Sequence, residues 1–432
     1  MVKKSKLSHL KYLNLLKNCT VLLLLCHFNL THANEIKVEL ASKLDLKSNR
    51  SFLWSKQMNG AISDLSISKN GKAILVATSP DSDIVGTSKH YLLSKYSSNG
   101  KPLWQLKQRS PVKEVAVSQD GAFAVVSNYE NQLLGLDANG KTLWSAEGMC
   151  KPIIVNFGKR IICYHDDDNG PKVAFDLYDW KGGRISSYAI EKDVVALKLS
   201  ADEKSMVLAQ VDGEVVLLSS EFIPIWRRTV PGEIVDVSVA SAASPGSLPV
   251  VAVLYRDKTK SKLQQVALFR TEGAAKVGTP GELFSPSAGC SQIELSPDGG
   301  TLFYYGNTSS GQYLGRVAIQ SSRSLSRSAS LELRKELRKE LRKELWKHGG
   351  TASAEYSSST QVTSSRVFMG FQENREGERQ NHILGFNYDG EMKTDIRLSS
   401  EQSAYLYSFK IASEGGLLVV GTDDGKLSVY HY

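Results

Sequence analysis

Cysteine is scarce in this chain: five occur in 432 residues, at 19, 26, 150, 163 and 290. None adjoins another and none stands in a C-x-x-C or zinc-ligand spacing, which excludes a disulfide-stapled small fold and a thioredoxin-type redox pair. Proline is sparse too, at 12 against 34 glycines, so the chain is neither collagenous nor a proline-rich disordered segment. No histidine belongs to an H-E-x-x-H or C-x-x-C-H arrangement. Acidic residues are missing altogether from residues 1–33, and the apolar stretch there, 21–30, is half the length a membrane-spanning helix needs, about twenty residues. What is present, 41% hydrophobic and 23% charged residues, suits an ordinary folded protein with a large core.

The net charge of +8 is unevenly placed. Residues 1–33 hold Lys3, Lys4, Lys6, Lys11 and Lys17, and residues 321–347 hold nine Lys/Arg against four Glu, a net +5. With both segments set aside, the remainder of the +8 total comes to −2, which argues against a general nucleic-acid-binding surface. The lysine-rich start, the apolar run containing Leu22-Leu23-Leu24-Leu25 and the exit Thr31-His32-Ala33 have the pattern of a secretory signal peptide cleaved after Ala33. Cys26 follows Leu25, where a lipoprotein signal needs a small side chain, so lipid anchoring is not expected. The mature chain then runs as an extension over 34–50 and a main domain over 51–432. It keeps Cys150, Cys163 and Cys290, expected as three buried, unpaired thiols; a Cys150 to Cys163 bridge across one hairpin is the alternative.

One phrase recurs along that domain: alternating apolar residues, then a Ser/Asp/Gly turn, then an apolar run. It reads Leu65-Ser66-Ile67-Ser68-Lys69-Asn70-Gly71, Val115-Ala116-Val117-Ser118-Gln119-Asp120-Gly121, Leu197-Lys198-Leu199-Ser200-Ala201-Asp202, Ile293-Glu294-Leu295-Ser296-Pro297-Asp298-Gly299 and Ile411-Ala412-Ser413-Glu414-Gly415. Period-two alternation buries one face of a strand, and Asn/Asp-Gly supplies the positive φ of a tight turn. A second phrase joins a Gly-Lys turn to a tryptophan strand, in Asn99-Gly100-Lys101-Pro102-Leu103-Trp104 and in Asp137-Ala138-Asn139-Gly140-Lys141-Thr142-Leu143-Trp144. Weaker copies run Trp180-Lys181-Gly182-Gly183-Arg184, Phe222-Ile223-Pro224-Ile225-Trp226 and Tyr388-Asp389-Gly390-Glu391. Units begin near 61, 111, 150, 193, 233, 290, 351 and 403. Such spacing predicts an all-β fold, a β-propeller of eight four-stranded blades, with seven as the alternative count because the units after 233 are irregular. The last unit lacks a tryptophan strand, and Ser51-Phe52-Leu53-Trp54-Ser55 can supply it, closing the ring by pairing the N- and C-terminal strands.

The blade phrase resembles the pyrroloquinoline-quinone-type repeat family of propellers, whose signature sets Asp, Gly-Lys and Trp in order. Asp137, Gly140, Lys141 and Trp144 match it, Gly100, Lys101 and Trp104 match in part, and Trp54 fills the tryptophan place in the closing blade. The resemblance implies that these tryptophans pack between neighbouring blades. The Ser-x-Asp-Gly turns look equally like those of WD40-like propellers, and both likenesses speak to architecture and not to activity.

Three sites compete with bland readings. Gly135-Leu136-Asp137-Ala138-Asn139-Gly140-Lys141-Thr142 satisfies the phosphate-loop pattern, but Leu143-Trp144 continues as a strand where that loop requires a helix. His165-Asp166-Asp167-Asp168-Asn169-Gly170 gathers carboxylates without the closing Glu of a calcium loop, so a solvated connection is expected. Quinone-dependent members of the resembling family carry adjacent cysteines by their cofactor, which this sequence lacks; no cofactor, metal or catalytic residue is expected. The insertion between units six and seven begins with a Ser/Arg run and repeats Leu-Arg-Lys-Glu at 333–336, 337–340 and 341–344. Leu333, Leu337, Leu341 and Leu345, followed by Trp346, would form a slanting stripe on a basic helix, since a four-residue step overshoots a 3.6-residue turn. Such an arm suits a partner protein or an anionic membrane surface; a repeat expansion that lengthens a blade hairpin is the plainer reading.

Together these features point to an exported, periplasmic or secreted, monomeric propeller without enzymatic activity that presents rim loops to another protein. One version of this resembles the propeller subunit that helps assemble outer-membrane proteins in bacteria. The alternative is a quinone- or metal-dependent enzyme using the central funnel. An enzyme needs convergent polar or metal-binding groups at the channel mouth, and a scaffold needs an apolar or aromatic rim patch.

Overall fold

Short alternating segments closed by glycine turns commit the chain to antiparallel strands. In the computed structural model, thirty-two of them form eight four-stranded sheets. The structure describes residues 51–432 except 81–89, 149, 156–158, 165–172, 190–191, 243–248, 259–263, 270–281, 285, 287–288, 309–310, 320–346, 351–359, 376–377 and 399–405. After β1 (Phe52–Gln57), blade 1 takes β2 (Ala61–Ile67), β3 (Ala73–Ser79), β4 (Tyr91–Ser97) and β5 (Pro102–Gln108). Blade 2 takes β6 (Val112–Val117), β7 (Ala124–Asn128), β8 (Gln132–Leu136) and β9 (Thr142–Glu147); blade 3 takes β10 (Lys151–Val155), β11 (Arg160–Tyr164), β12 (Val173–Asp179) and β13 (Arg184–Ala189). Blade 4 takes β14 (Val194–Leu199), β15 (Ser205–Gln210), β16 (Glu214–Ser219) and β17 (Pro224–Thr229); blade 5 takes β18 (Gly232–Val239), β19 (Val251–Asp257), β20 (Gln264–Phe269) and β21 (Glu282–Phe284). Blade 6 takes β22 (Cys290–Leu295), β23 (Thr301–Thr308), β24 (Gly311–Ala318) and β25 (Lys347–Gly350), and blade 7 takes β26 (Thr360–Val362), β27 (Arg366–Arg375), β28 (Glu378–Asn387) and β29 (Met392–Leu398). Blade 8 is β30 (Leu406–Ala412), β31 (Leu417–Thr422) and β32 (Lys426–His431), and β1 pairs with β32 to complete it. The fold is the eight-bladed propeller that the repeat spacing predicts.

Burial follows from each strand's place in its blade. The second strands β7, β15 and β31 are buried along their whole length, because both faces of a blade are covered by neighbours; they therefore read as apolar runs and not as alternation. The fourth strands β1, β5 and β9 are exposed or half-buried throughout. Apolar clusters lie between blades, not within them. Leu75, Ala77 and Leu93 of blade 1 meet Val115, Ala124, Val126 and Leu136 of blade 2. At the closing junction, Ile62, Ile74 and Val76 of blade 1 meet Leu417, Val419, Leu427 and Val429 of blade 8. Each such Val or Leu stabilises the ring by roughly 1.5–3 kcal/mol relative to exposure, so a blade is stable only through its neighbours.

Three expectations need correction. Cys150 and Cys163 are both buried but bonded to each other, with Cα atoms 5.3 Å apart. The antiparallel β10–β11 register sets Cys163 opposite Pro152, two residues from Cys150, so the hairpin itself brings the sulfurs together. Cys290 stays outside the bridge, buried on β22, where its thiol donates to the Gln292 carbonyl at 3.5 Å. The low-complexity insertion does not separate blades six and seven: Lys347–Gly350 is the fourth strand of blade 6, paired with β24, so residues 320–346 form the β24–β25 connection of that blade. The seventh unit accordingly starts at Thr360, not near 351.

Replacing Cys150 and Cys163 together by serine removes a cross-link spanning 13 residues, and a loop of that size is worth about 3 kcal/mol of unfolded-state entropy. The double variant should lose about 2–3 kcal/mol in chemical denaturation, and reducing agent should bring the native protein to the same stability.

Candidate functional site

Both kinds of recurrent turn lie at one end of the ring, because the first-to-second and third-to-fourth hairpins of an up-and-down blade share an end. In the first kind, Ser118 Oγ donates to Asp120 Oδ1 at 2.6 Å and accepts from the Phe123 amide at 3.0 Å, while the Ala122 amide donates to Asp120 Oδ1 at 2.9 Å. Ser68/Asn70, Ser200/Asp202 and Ser296/Asp298 repeat this arrangement. The Ser296 hydroxyl, and after it the Gly300 amide, hold the Asp298 carboxyl below its ordinary pKa. Gly71, Gly121 and Gly299 take φ of +73°, +78° and +69°, and in blade 4 Glu203 adopts φ 57° in the glycine place. Neighbouring turns also bond one another: the Asn70 side chain donates to the Asp120 carbonyl, the Ser241 amide to Pro297 O at 2.9 Å, and the Glu414 amide to Lys69 O at 3.0 Å.

The second kind carries the tryptophan phrase. Trp104 donates its indole N–H to the Ala138 carbonyl of the next blade at 2.9 Å, Trp144 to Trp180 O at 2.7 Å, and Trp54 to Ser98 O at 2.8 Å. Two residues beyond each acceptor stands a glycine against that indole. A Cβ on Gly140, whose φ is +82°, would lie 2.7 Å from the Trp104 ring, and Gly182 and Gly100 stand in the same relation to Trp144 and Trp54. Asp137 shapes its turn by accepting the Asn139 and Lys141 amides, each at 2.9 Å; Lys141 itself is exposed. The nominal phosphate loop is thus the β8–β9 turn. Lys95 on β4, 2% exposed, reaches across the same junction to Gly121 O at 2.7 Å and Ala138 O at 3.2 Å. Burial pushes its ammonium below its ordinary pKa. Leu333, Leu337, Leu341, Leu345 and Trp346, and the acidic run at 165–170, lie outside the described residues.

Around the channel, the free edge of each innermost strand is an unpaired row of donors and acceptors, and the preceding blade covers part of it. Asp64 Oδ2 accepts the Val115 amide at 2.7 Å and Ser66 Oγ the Val117 amide at 3.2 Å. Asp236 and Ser238 do the same for Ile293 and Leu295, each at 2.9 Å. On blade 7, Gln361 both accepts the Ile411 amide and donates to Phe409 O. Recurrence of Asp-x-Ser at Asp64-Leu65-Ser66 and Asp236-Val237-Ser238 was the available signal for this belt. Burial, then the nearby Glu114, raises the Asp64 carboxyl to about 7. Burial likewise raises Glu294 to about 7, against the opposing pull of Lys198, whose Nζ stands 3.8 Å away. A cavity of about 100 Å³ adjoins Lys198, Asp236 and Glu294. Among the described residues no group of three or more His, Cys, Asp or Glu side chains could hold a metal ion.

A larger groove, about 500 Å³, opens at the closing junction between blades 8 and 1, with Leu53, Trp54 and Leu417 on its apolar side and Lys72 and Asn99 on its polar side.

Gly140→Ala combines a positive φ with a clash against the Trp104 ring and should cost about 1–3 kcal/mol; Trp104→Ala should cost about 2–4 kcal/mol, both read by urea unfolding. A carboxyl raised to about 7 in the fold holds a proton that the unfolded chain, with a pKa of about 3.9, has released. That contribution to stability is therefore full below about pH 4 and declines as pH rises toward 7. Asp64→Asn keeps an acceptor for Val115 and should flatten the fall in unfolding free energy between about pH 4 and 7.

No family model and no curated protein matches the chain. Solved structures do resemble it. BamB from Moraxella catarrhalis aligns at 15% identity and a TM-score of 0.53, over 88% of this chain and 97% of that one. Sqt1 from Chaetomium thermophilum aligns at 12% identity and a TM-score of 0.60, over 88% and 99%; the same protein bound to the N-terminus of the ribosomal protein L10 gives 12%, 0.59, 87% and 97%. At such identities the likeness establishes the fold alone, a β-propeller.

Proposed function

We propose that this chain is an exported, non-enzymatic propeller that acts as a protein-interaction scaffold, with assembly work in the cell envelope as its setting. The observation that carries the reading is an aliphatic row on the rim. Leu53, Leu103 and Leu143 each precede a junction tryptophan and are 46%, 48% and 46% exposed, and Ile185, Ile225 and Met392 continue the row on other outer strands. Repeated apolar side chains on a rigid outer surface suit protein contact. Asp64 and Asp236 in the channel, by contrast, fasten one inner strand to the next. A propeller of the same fold holds the N-terminus of a protein, which supports a polypeptide as the kind of partner. Export is supported by the leader pattern of residues 1–33 and by the Cys150–Cys163 bridge, since disulfides persist in oxidising compartments. The basic insertion, 320–346, joins β24 to β25, and its composition suits an arm that contacts a partner or an anionic membrane.

Immobilised chain should retain a specific protein in a pulldown quantified by mass spectrometry, and deletion of residues 322–345 should reduce that retention if the arm contributes. Absence of any specifically retained protein, together with turnover of a quinone or other small molecule, would overturn the scaffold reading.

A further inference from the structure

The closing junction, like that of blades 2 and 3, where Gly135 stands opposite Val125, lacks the lysine lock found between blades 1 and 2. At the junction of blades 1 and 2, Lys95 stands opposite Leu75 and ties the Gly121 and Ala138 carbonyls to its own blade. Leu75 is seven residues past Ser68; the corresponding residue of blade 8 is Val419, and Val429 stands opposite it. A buried valine therefore occupies the place of Lys95. Among the described residues no lysine reaches the Gly71 and Ser98 carbonyls, the counterparts of Gly121 and Ala138, and the Trp54 indole alone spans to Ser98 O. The groove of about 500 Å³ lies at this junction.

Its chemistry is specific. Leu53, nearly half exposed, the Trp54 ring and Leu417 offer a seat for one aliphatic or aromatic side chain. Lys72 lines the polar side, Lys101 follows the Gly100 that lies on the Trp54 ring, and both are exposed. Among the described residues no carboxylate lines the groove, and Glu414, beside it, is paired with Lys69 at 3.2 Å. Among the described residues neither Lys72 nor Lys101 has an acidic partner. Charge complementarity thus selects an acidic occupant, and two lysines beside an apolar seat fit a peptide better than the long basic track a nucleic acid requires.

We propose that the groove between blades 8 and 1 seats an acidic peptide segment of a partner protein, with one apolar side chain between Leu53, Trp54 and Leu417 and its carboxylates on Lys72 and Lys101. This rests on the scaffold reading and names the seat within it. The test is a fluorescence-anisotropy titration of the full chain into labelled Asp-Glu-Leu-Phe-Asp-Glu. Saturable binding is expected, weakened at least about fivefold by the neutral Asn-Gln-Leu-Phe-Asn-Gln sequence, by Asp-Glu-Ala-Ala-Asp-Glu, and by Lys72→Glu, the loss of one exposed charge pair being worth about 1 kcal/mol. Lys204→Glu, which changes the lysine at the same turn position in blade 4, should leave affinity unchanged and controls for net charge. Melting curves verify the fold of both variants. Lack of saturation, equal binding of the neutral peptide, preference for a single-stranded oligothymidylate, or self-association of the chain that Lys72→Glu abolishes would each overturn the assignment. A protein retained equally by native chain and Lys72→Glu in the pulldown would leave the scaffold reading standing and remove only this seat.

Discussion

Every blade of this ring is apolar on both faces, and that single constraint organises the rest. A four-stranded sheet such as β14–β17 has no core of its own; Val207, Val215 and Trp226 are buried only because Ile234, Val253 and Tyr255 of the next blade cover them. The arrangement must therefore continue from blade to blade until it meets its own beginning, and the pairing of β1 with β32 is where it does. Repeat number, second-strand composition and the exposure of fourth strands all follow from that requirement.

The polar features serve the same end at three radii. Nearest the axis, Asp-x-Ser pairs cover the free edge of the next inner strand. At the hairpin end, Ser-x-Asp-Gly turns bond their neighbours around the ring. Farther out, tryptophans reach across to the carbonyl of the following blade and lie on its glycine. None of these bonds is large alone, about 0.5–1.5 kcal/mol net, but each satisfies a backbone group that would otherwise be stranded at a junction. The closing junction and that of blades 2 and 3 share the tryptophan contact without a lysine, which Lys95 supplies between blades 1 and 2.

Much of this was legible from residues alone because the repeat encodes it. Ser/Asp/Gly turns fixed where second strands begin, and unit starts read from them fall within a residue or so of the first strands in most blades. The seventh escaped for a definable reason: Lys347–Gly350, a short strand of Lys, His and two glycines, carries none of the alternation that identifies a strand, so the insertion before it reads as the end of the blade. The disulfide escaped because cysteine spacing says nothing of register, and only the pairing of Pro152 with Cys163 decides it. Lys95 is invisible as a junction residue in sequence, where it reads as one more lysine on a half-polar strand. The groove joins Leu53 and Leu417, from opposite ends of the ring's chain, and no local pattern brings those two together.

Closure by strands from opposite ends also sets a timetable. Trp54 is among the first residues of the ring to leave a ribosome or a translocon, yet the surface it belongs to, Leu417, Leu427 and Val429, is made last. Until β32 emerges, β1 has no strand to pair with and blade 1 has one bare apolar face. Contacts so distant along the chain are slow to form and are the stage most open to mispairing with another molecule. A chain of this topology spends its synthesis as an incomplete arc, and a cell that makes it has to shelter that arc until the final strand arrives.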